Sequence, residues 1–305
     1  MEIQELTRFS IRFIPKYVDN TASIESIDRL FILSYTRTTN LEATLYEPVC
    51  CLILQGKKET GVGDTIVNFG VGESLIVSHE TPVVSRVTSA TLSQPYIAMI
   101  LSLDIGLMRS LYEHVGSNEL DLVNAKAFNV HKTDQNLIDA FYRYLTLAGN
   151  PTEEKVLGPI ILKEIHFRLL MAPHGGMLRR LLHHNSHESN ISRAIKQIRK
   201  TFKNPLVIPE LAMEVGMSPS SFHKHFKFIT KTTPLQYQKD LRLLEAKRLL
   251  NLKSHSVSRT AYEVGYESAT QFSREYARKF GVPPRHDLGR AEAIQKWDHG
   301  YGLRL

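Results

Sequence analysis

Cysteine is nearly absent from this chain, with two residues in 305, and those two are adjacent, Cys50 and Cys51. Neighbours on a strand point to opposite faces, so a structural disulfide between them is disfavoured and two reduced thiols are expected, with a thiol sensor as the alternative. Long apolar runs are absent too. Nothing approaches the roughly 18 apolar residues that span a bilayer. The start, MEIQELTRFSIRF, also lacks the basic, apolar and small-residue order of a secretory signal. A soluble cytoplasmic protein with no membrane partner is therefore expected. Nucleophile motifs and phosphate-binding loops are missing as well, which argues against an enzyme. His183, His184 and His187 cluster, but no cysteine or carboxylate set completes a metal site, so a solvated linker from Pro173 to Ser189 is expected there.

What is present is unevenly distributed. From Asn185 onward there are 21 Lys and Arg against 11 Asp and Glu, and before it 17 against 20, within a net charge of +7. A basic segment beside a mildly acidic one suits a polyanion-binding module joined to a different kind of domain.

The basic third also repeats itself. Ala212-x-Glu214-Val215-Gly216 returns as Ala261-x-Glu263-Val264-Gly265, each copy running into a basic helix with aromatics four apart, Phe222 and Phe226 in one, Phe272 and Tyr276 in the other. A short helix, a glycine turn and a second helix form a helix-turn-helix, here expected at about 209–230 and 256–280. Thr233-Pro234 starts a connecting helix to about Leu252, with a cap before the proline. Ahead of these units Ile191, Ala194, Ile195, Ile198 and Phe202 form one apolar helix face.

Residues from about 25 to 103 read instead as short strands with glycine turns, a small barrel or sandwich. Later helices are expected near Asp134–Ala148 and Thr152–Met171, with Asp104 as a cap before the first helical stretch. On the second of these helices Val156, Leu157, Ile160, Ile161, Ile165 and Leu169 form a stripe that reads as core, with a dimer interface as the competing role.

If the aromatics face inward, His223 and Lys224 project outward from the first unit and Ser273 and Arg274 from the second. Ser220 and Ser221, with Thr270 and Gln271, occupy the first turns. Arginine and lysine donate to guanine, glutamine pairs with adenine, and serine or threonine contacts several bases. Gln271 could instead close a capping box with Ser268. Lys231, Lys239, Arg242, Lys247, Arg248 and Lys253 are candidate phosphate contacts.

Two stretches, SPSSFHKHFKFITKTTPLQYQKDLRLLEAKRLL and AYEVGYESATQFSREYARKFGVPP, resemble the tandem helix-turn-helix domain of AraC/XylS-type transcriptional regulators. YEPVCCLILQGKKETGVGDTIVNFGVGESLIVS resembles the cupin-like N-terminal domain of one subgroup. The resemblance implies a two-domain α+β protein. Residues 1–184 would form a cupin-like β-barrel with trailing helices that senses a small-molecule effector or dimerises, and residues 185–305 an all-α DNA-binding domain. Double-stranded DNA, a homodimer partner and, for an activator, RNA polymerase are the implied partners. Metal-binding cupins need paired histidines and a glutamate, whereas these strands offer only His79, expected at a turn or rim, so no metal or other cofactor is expected.

Overall fold

The computed structural model describes residues 2–15, 21–63, 65–115, 129–183, 186–252 and 255–287. A short helix, α1 (Ile3–Ile11), precedes ten described strands, all paired antiparallel. The larger sheet contains β1 (Thr21–Ile27), β2 (Leu30–Tyr35), β4 (Val49–Gln55), β7 (Glu73–Val77), β9 (Tyr96–Ser102) and β10 (Asn129–Lys132), in the order β1-β2-β9-β4-β7-β10. The smaller contains β3 (Glu42–Tyr46), β5 (Lys57–Val62), β6 (Thr65–Gly70) and β8 (Thr81–Ser89), in the order β3-β8-β5-β6.

Strand β4 shows how the layers form. Its sequence, VCCLILQ, is apolar at nearly every position because both of its faces are covered. Val49, Cys51 and Ile53 face the smaller sheet, in a core with Val62, Phe69 and Val83. Cys50, Leu52 and Leu54 point the other way, onto helices. The adjacent cysteines thus lie in different cores, free and buried, and burial pushes both thiols above their ordinary range, away from the reactive form.

The helical layer consists of α1 with α2 (Ile105–Val115), α3 (Gln135–Thr146), α4 (Pro151–Val156), α5 (Gly158–Met171) and α6 (Gly176–Leu182). Asp104 caps α2, accepting from the Leu107 N–H at 2.9 Å, and Asp134 caps α3. Two expectations fail here. The single helix expected from Thr152 to Met171 is two, because Pro159 has no N–H to continue the ladder and the turn restarts at Gly158. The restart shifts the phase, so α5 buries Leu162, Ile165, His166, Leu169 and Leu170, while Val156, Leu157 and Ile160 of the expected core stripe are exposed. The supposed linker from Pro173 is instead a packed segment. Met177, Leu178, Leu181 and Leu182 of α6 are buried, and Arg179 is buried with them, donating to the carbonyls of Leu170 at 2.6 Å and Ala172 at 3.1 Å. His184 and Asn185, where the boundary was expected, lie outside the described residues.

The remainder is helical: α7 (His187–Thr201), α8 (Ile208–Glu214), α9 (Pro219–Thr230), α10 (Pro234–Asn251), α11 (Val257–Glu263) and α12 (Ala269–Phe280). Ser186, Ser218, Thr233, Ser256 and Ser268 cap five of these by accepting the N–H three residues on. Phe222 and Phe226 share a core with Ile191, Ile195, Tyr237 and Leu241, and Phe272 and Tyr276 share another with Leu243, Ala246 and Leu250. Helix α10 therefore belongs to both cores.

Candidate nucleic-acid interface

Each unit turns at a glycine with positive φ, Gly216 at 75° and Gly265 at 88°. The following helix then lies with its aromatic pair fully inside, which aims the opposite face outward. On α9, Ser220, His223 and Lys224 are exposed and Ser221 is half-buried; on α12, Thr270, Gln271 and Arg274 are exposed. Ser273 departs from expectation. It is half-buried, and its hydroxyl donates to the Ala269 carbonyl at 2.8 Å, so its proton is directed into its own helix. Gln271 forms half of a capping box: its N–H donates to Ser268 Oγ at 3.3 Å, while its side-chain amide donates to Glu275 at 3.2 Å. Lys227 and Arg278, not singled out from the sequence, are exposed one turn beyond Lys224 and Arg274. Their spacing of three and four residues from those cations was the available signal.

Of the candidate phosphate contacts, Lys239 pairs with Glu275 at 2.9 Å and Arg248 with Glu245 at 2.7 Å. Lys247 lies over the Phe280 ring at 4.9 Å, and Lys231 over Phe228 at 5.0 Å. Arg242 serves the fold rather than a ligand. It donates to the carbonyls of Phe202 (2.7 Å), Lys203 (3.1 Å) and Asn204 (3.0 Å) after α7, and to that of Gly265 (2.7 Å) in the second turn. Lys253 lies outside the described residues.

The barrel side meets the first unit directly. Tyr237 on α10 donates to the Glu80 carbonyl at 2.9 Å, and Arg199 on α7 bridges Glu47 at 2.8 Å and Glu80 at 3.1 Å. His79 does sit in the β7–β8 turn, but it is buried there rather than open at a rim, its ring 3.0 Å from Ser78 Oγ and beside the backbone of Ile229 at the end of α9. Burial lowers its pKa to about 4, with the Ile229 backbone pulling weakly the other way. Between the β6 edge and α9 lies a cleft of about 610 Å³ lined by Thr65, His223, Lys224, Lys227 and Lys231, among others. Four of those five side chains are basic, a setting suited to phosphate oxygens. Among the described residues no group of three metal-type ligands forms; His187 of the histidine cluster stacks on His225 of α9, with ring centres 3.7 Å apart. No described helix is long and apolar enough to cross a membrane.

A double-sheet domain docked on two helix-turn-helix units joined by one shared helix is the architecture of a two-domain transcription regulator. Residues 26–177 match the family described as AraC-type transcriptional regulator N-terminus, and residues 211–290 match a helix-turn-helix domain. The chain belongs to the AraC/XylS-type regulators. Among curated relatives it is 34% identical over 96 residues to the HTH-type transcriptional regulator AlkR of Acinetobacter baylyi, covering 32% of this chain and 31% of that one. It is 29% identical over 141 residues to CdhR of Pseudomonas aeruginosa, covering 46% of this chain and 39% of that one. The matches thus span about a third of the relatives' length. Among solved structures, ToxT from Vibrio cholerae has a TM-score of 0.56 at 10% identity, covering 86% of this chain and 98% of that one. Unsaturated fatty acid bound ToxT has a TM-score of 0.54 at 9% identity, covering 89% and 97%. These two likenesses concern the fold.

Proposed function

We propose that this chain is a non-enzymatic, cytoplasmic regulator of transcription that reads double-stranded DNA with α9 and α12 in adjacent major grooves. The observation that carries the reading is the pair of exposed polar and basic faces, Ser220, His223 and Lys224 on one helix and Thr270, Gln271 and Arg274 on the other, each set opposite a buried aromatic pair. Ser221 and Ser273 belong to the same faces as secondary contacts. The shared helix of 18 residues is roughly 27 Å long at ~1.5 Å per residue, near the ~34 Å that separates successive faces of the major groove.

Arg274→Ala is expected to cost about 1–3 kcal/mol on the operator and to relax preference at one base pair, the scale of one bidentate base contact. Lys227→Ala, as a phosphate-type control on α9, is expected to weaken operator and random duplexes alike. Gel retardation on both duplexes is the measurement. Equal losses for the two variants on both would show that Arg274 contacts phosphate and that the reading face is misplaced.

The sheet domain we assign to control, through a small-molecule effector or through dimerisation, with RNA polymerase as a further partner where the regulator activates. Relatives named as activators, such as RhaS of Salmonella, and a fatty acid bound form of ToxT support both assignments by analogy. Dimerisation has a candidate surface in the exposed Ile160, Phe167 and Met171 of α5. Ile160→Glu with Phe167→Glu is expected to convert a dimer into a monomer in sedimentation and to lower operator affinity by about tenfold or more, on the scale by which linking two binding modules raises avidity. A wild-type protein that sediments as a monomer would remove this surface from the proposal.

A further inference from the structure

The side chain of Gln271 is held in one orientation by a chain of partners. Its Nε2 donates to Glu275 Oε1 at 3.2 Å, one turn further along α12. Glu275 is itself fastened from two other places. Lys239 Nζ, on α10, donates to the same Oε1 at 2.9 Å, and the Tyr266 hydroxyl, in the turn before α12, donates to Oε2 at 2.9 Å. Tyr266 is buried and packs edge-on against Phe272, with ring centres 5.3 Å apart, so this anchor is part of the core. Burial opposes the charge of Glu275, but Lys239, Tyr266 and Gln271 outweigh it and hold the carboxyl below its ordinary range. The acceptor facing Gln271 is therefore ionised at neutral pH and fastened at both oxygens.

An ionised carboxylate decides which way the amide faces. Turned over, Gln271 would set its own oxygen against Glu275, two acceptors with no proton between them. Nε2 therefore stays on the Glu275 side, and because it carries two N–H groups, one remains beside Oε1. Gln271 is exposed, so an acceptor and a donor stand side by side at the surface of α12. That pair matches adenine, which offers N6–H and N7 in the major groove. Guanine offers two acceptors there, O6 and N7, and one of them would meet the amide oxygen. Without its anchor the amide can turn its nitrogen towards guanine instead. The first unit is built differently: counted from the caps Ser218 and Ser268, the matching positions on α9 are Ser221 and His225, and His225 stacks on His187.

We infer that Glu275 is a positioning residue for DNA reading: fastened by Lys239 and Tyr266, it fixes the amide of Gln271 so that α12 selects adenine and rejects guanine at one base pair. The inference rests on the proposed placement of α12 in a major groove, and adds to it a residue that acts only through Gln271.

The test selects binding sites for the full-length protein from a random duplex library and reads the ratio of adenine to guanine at each enriched position. Gln271→Ala, Glu275→Met and the double variant are carried through the same selection. The parent is expected to show one position with adenine in excess by about tenfold or more, the scale of one bidentate base contact. Q271A and E275M should each remove that excess at that position, and the double variant should be no looser there than Q271A. If E275M keeps the excess while Q271A loses it, the inference is wrong and reading by α12 stands. Equal loosening by E275M at every position would make Glu275 a support of the helix alone, and an excess of guanine in the parent at the position that Q271A loosens would refute the proposed base; either result overturns the inference. If Q271A changes no position, Gln271 reads no base, and the proposed reading face fails together with the inference. Should E275M not fold, Glu275→Gln takes its place. It keeps an acceptor for Tyr266 but gives up the charge that turns the Gln271 oxygen away, and the same excess must fall at the same position.

Discussion

Alanine at Gly265 is expected to destabilise the C-terminal domain by about 3–5 kcal/mol, whereas alanine at Gly216, the same position of the same repeated motif, should cost about 1–2. Both glycines have positive φ, 88° and 75°, so both substitutions carry the cost of a left-handed backbone for an L-residue. Only one carries more. A Cβ on Gly216 would meet nothing within 4 Å, but on Gly265 it would overlap the carbonyl group of Lys203. That oxygen accepts from Arg242, which also donates to the carbonyl of Gly265, so relieving the overlap must also disturb this staple. Urea denaturation followed by circular dichroism measures both variants. Equal costs would mean that the loop after α7 yields freely and that the contact at Gly265 has no energetic weight.

Acid should destabilise the protein, and His79→Gln should reduce that sensitivity. Burial lowers His79 to about 4 in the folded chain, against ~6.5 for an unconstrained histidine, so between these values the unfolded chain binds the extra proton. Stability is therefore fully present above about pH 6.5 and falls as the pH drops towards 4, by on the order of 3 kcal/mol from this residue over the whole window. His174, also lowered to about 4, and His166, lowered as well, act in the same direction and the same window, so the variant should flatten the curve without levelling it. Because His79 lies under the end of α9, the acid-induced change should include separation of the first unit from the sheets. Chemical denaturation at a series of pH values is the check. A wild-type curve that is flat from 7 to 4.5, or a variant curve parallel to it, would show that the ring does not remain neutral inside.

Much of the DNA-reading half was legible because its signals are local. The caps at Thr233 and Ser268, the glycine turns and the aromatic spacing each act within one turn of chain, and each is found where the residues indicated. The inward hydrogen bonds of Ser273 and Arg242 are not visible in the sequence because their partners are backbone carbonyls, one turn back for the serine and tens of residues away for the arginine. The segment Gly176–Leu182 looked like linker because polar and histidine-rich flanks hid the apolar face of GMLRRLL, and because an arginine can be buried when carbonyls receive its donors. The stripe expected on α5 fails for a simpler reason: its single period crosses Pro159, where the helix restarts in a new phase.

The Arg242 staple constrains the nucleic acid as much as the protein. One guanidinium fastens the end of α7 to the turn before α12, and one helix is shared by both cores, an arrangement that opposes independent swinging of the two proposed reading helices. Adjustment is then left to the duplex on the proposed reading. With α9 and α12 in adjacent grooves, as proposed, twist and bend in the base steps between the half-sites would decide how readily α12 reaches its groove once α9 is seated, so that base pairs no side chain touches would enter recognition through their stiffness.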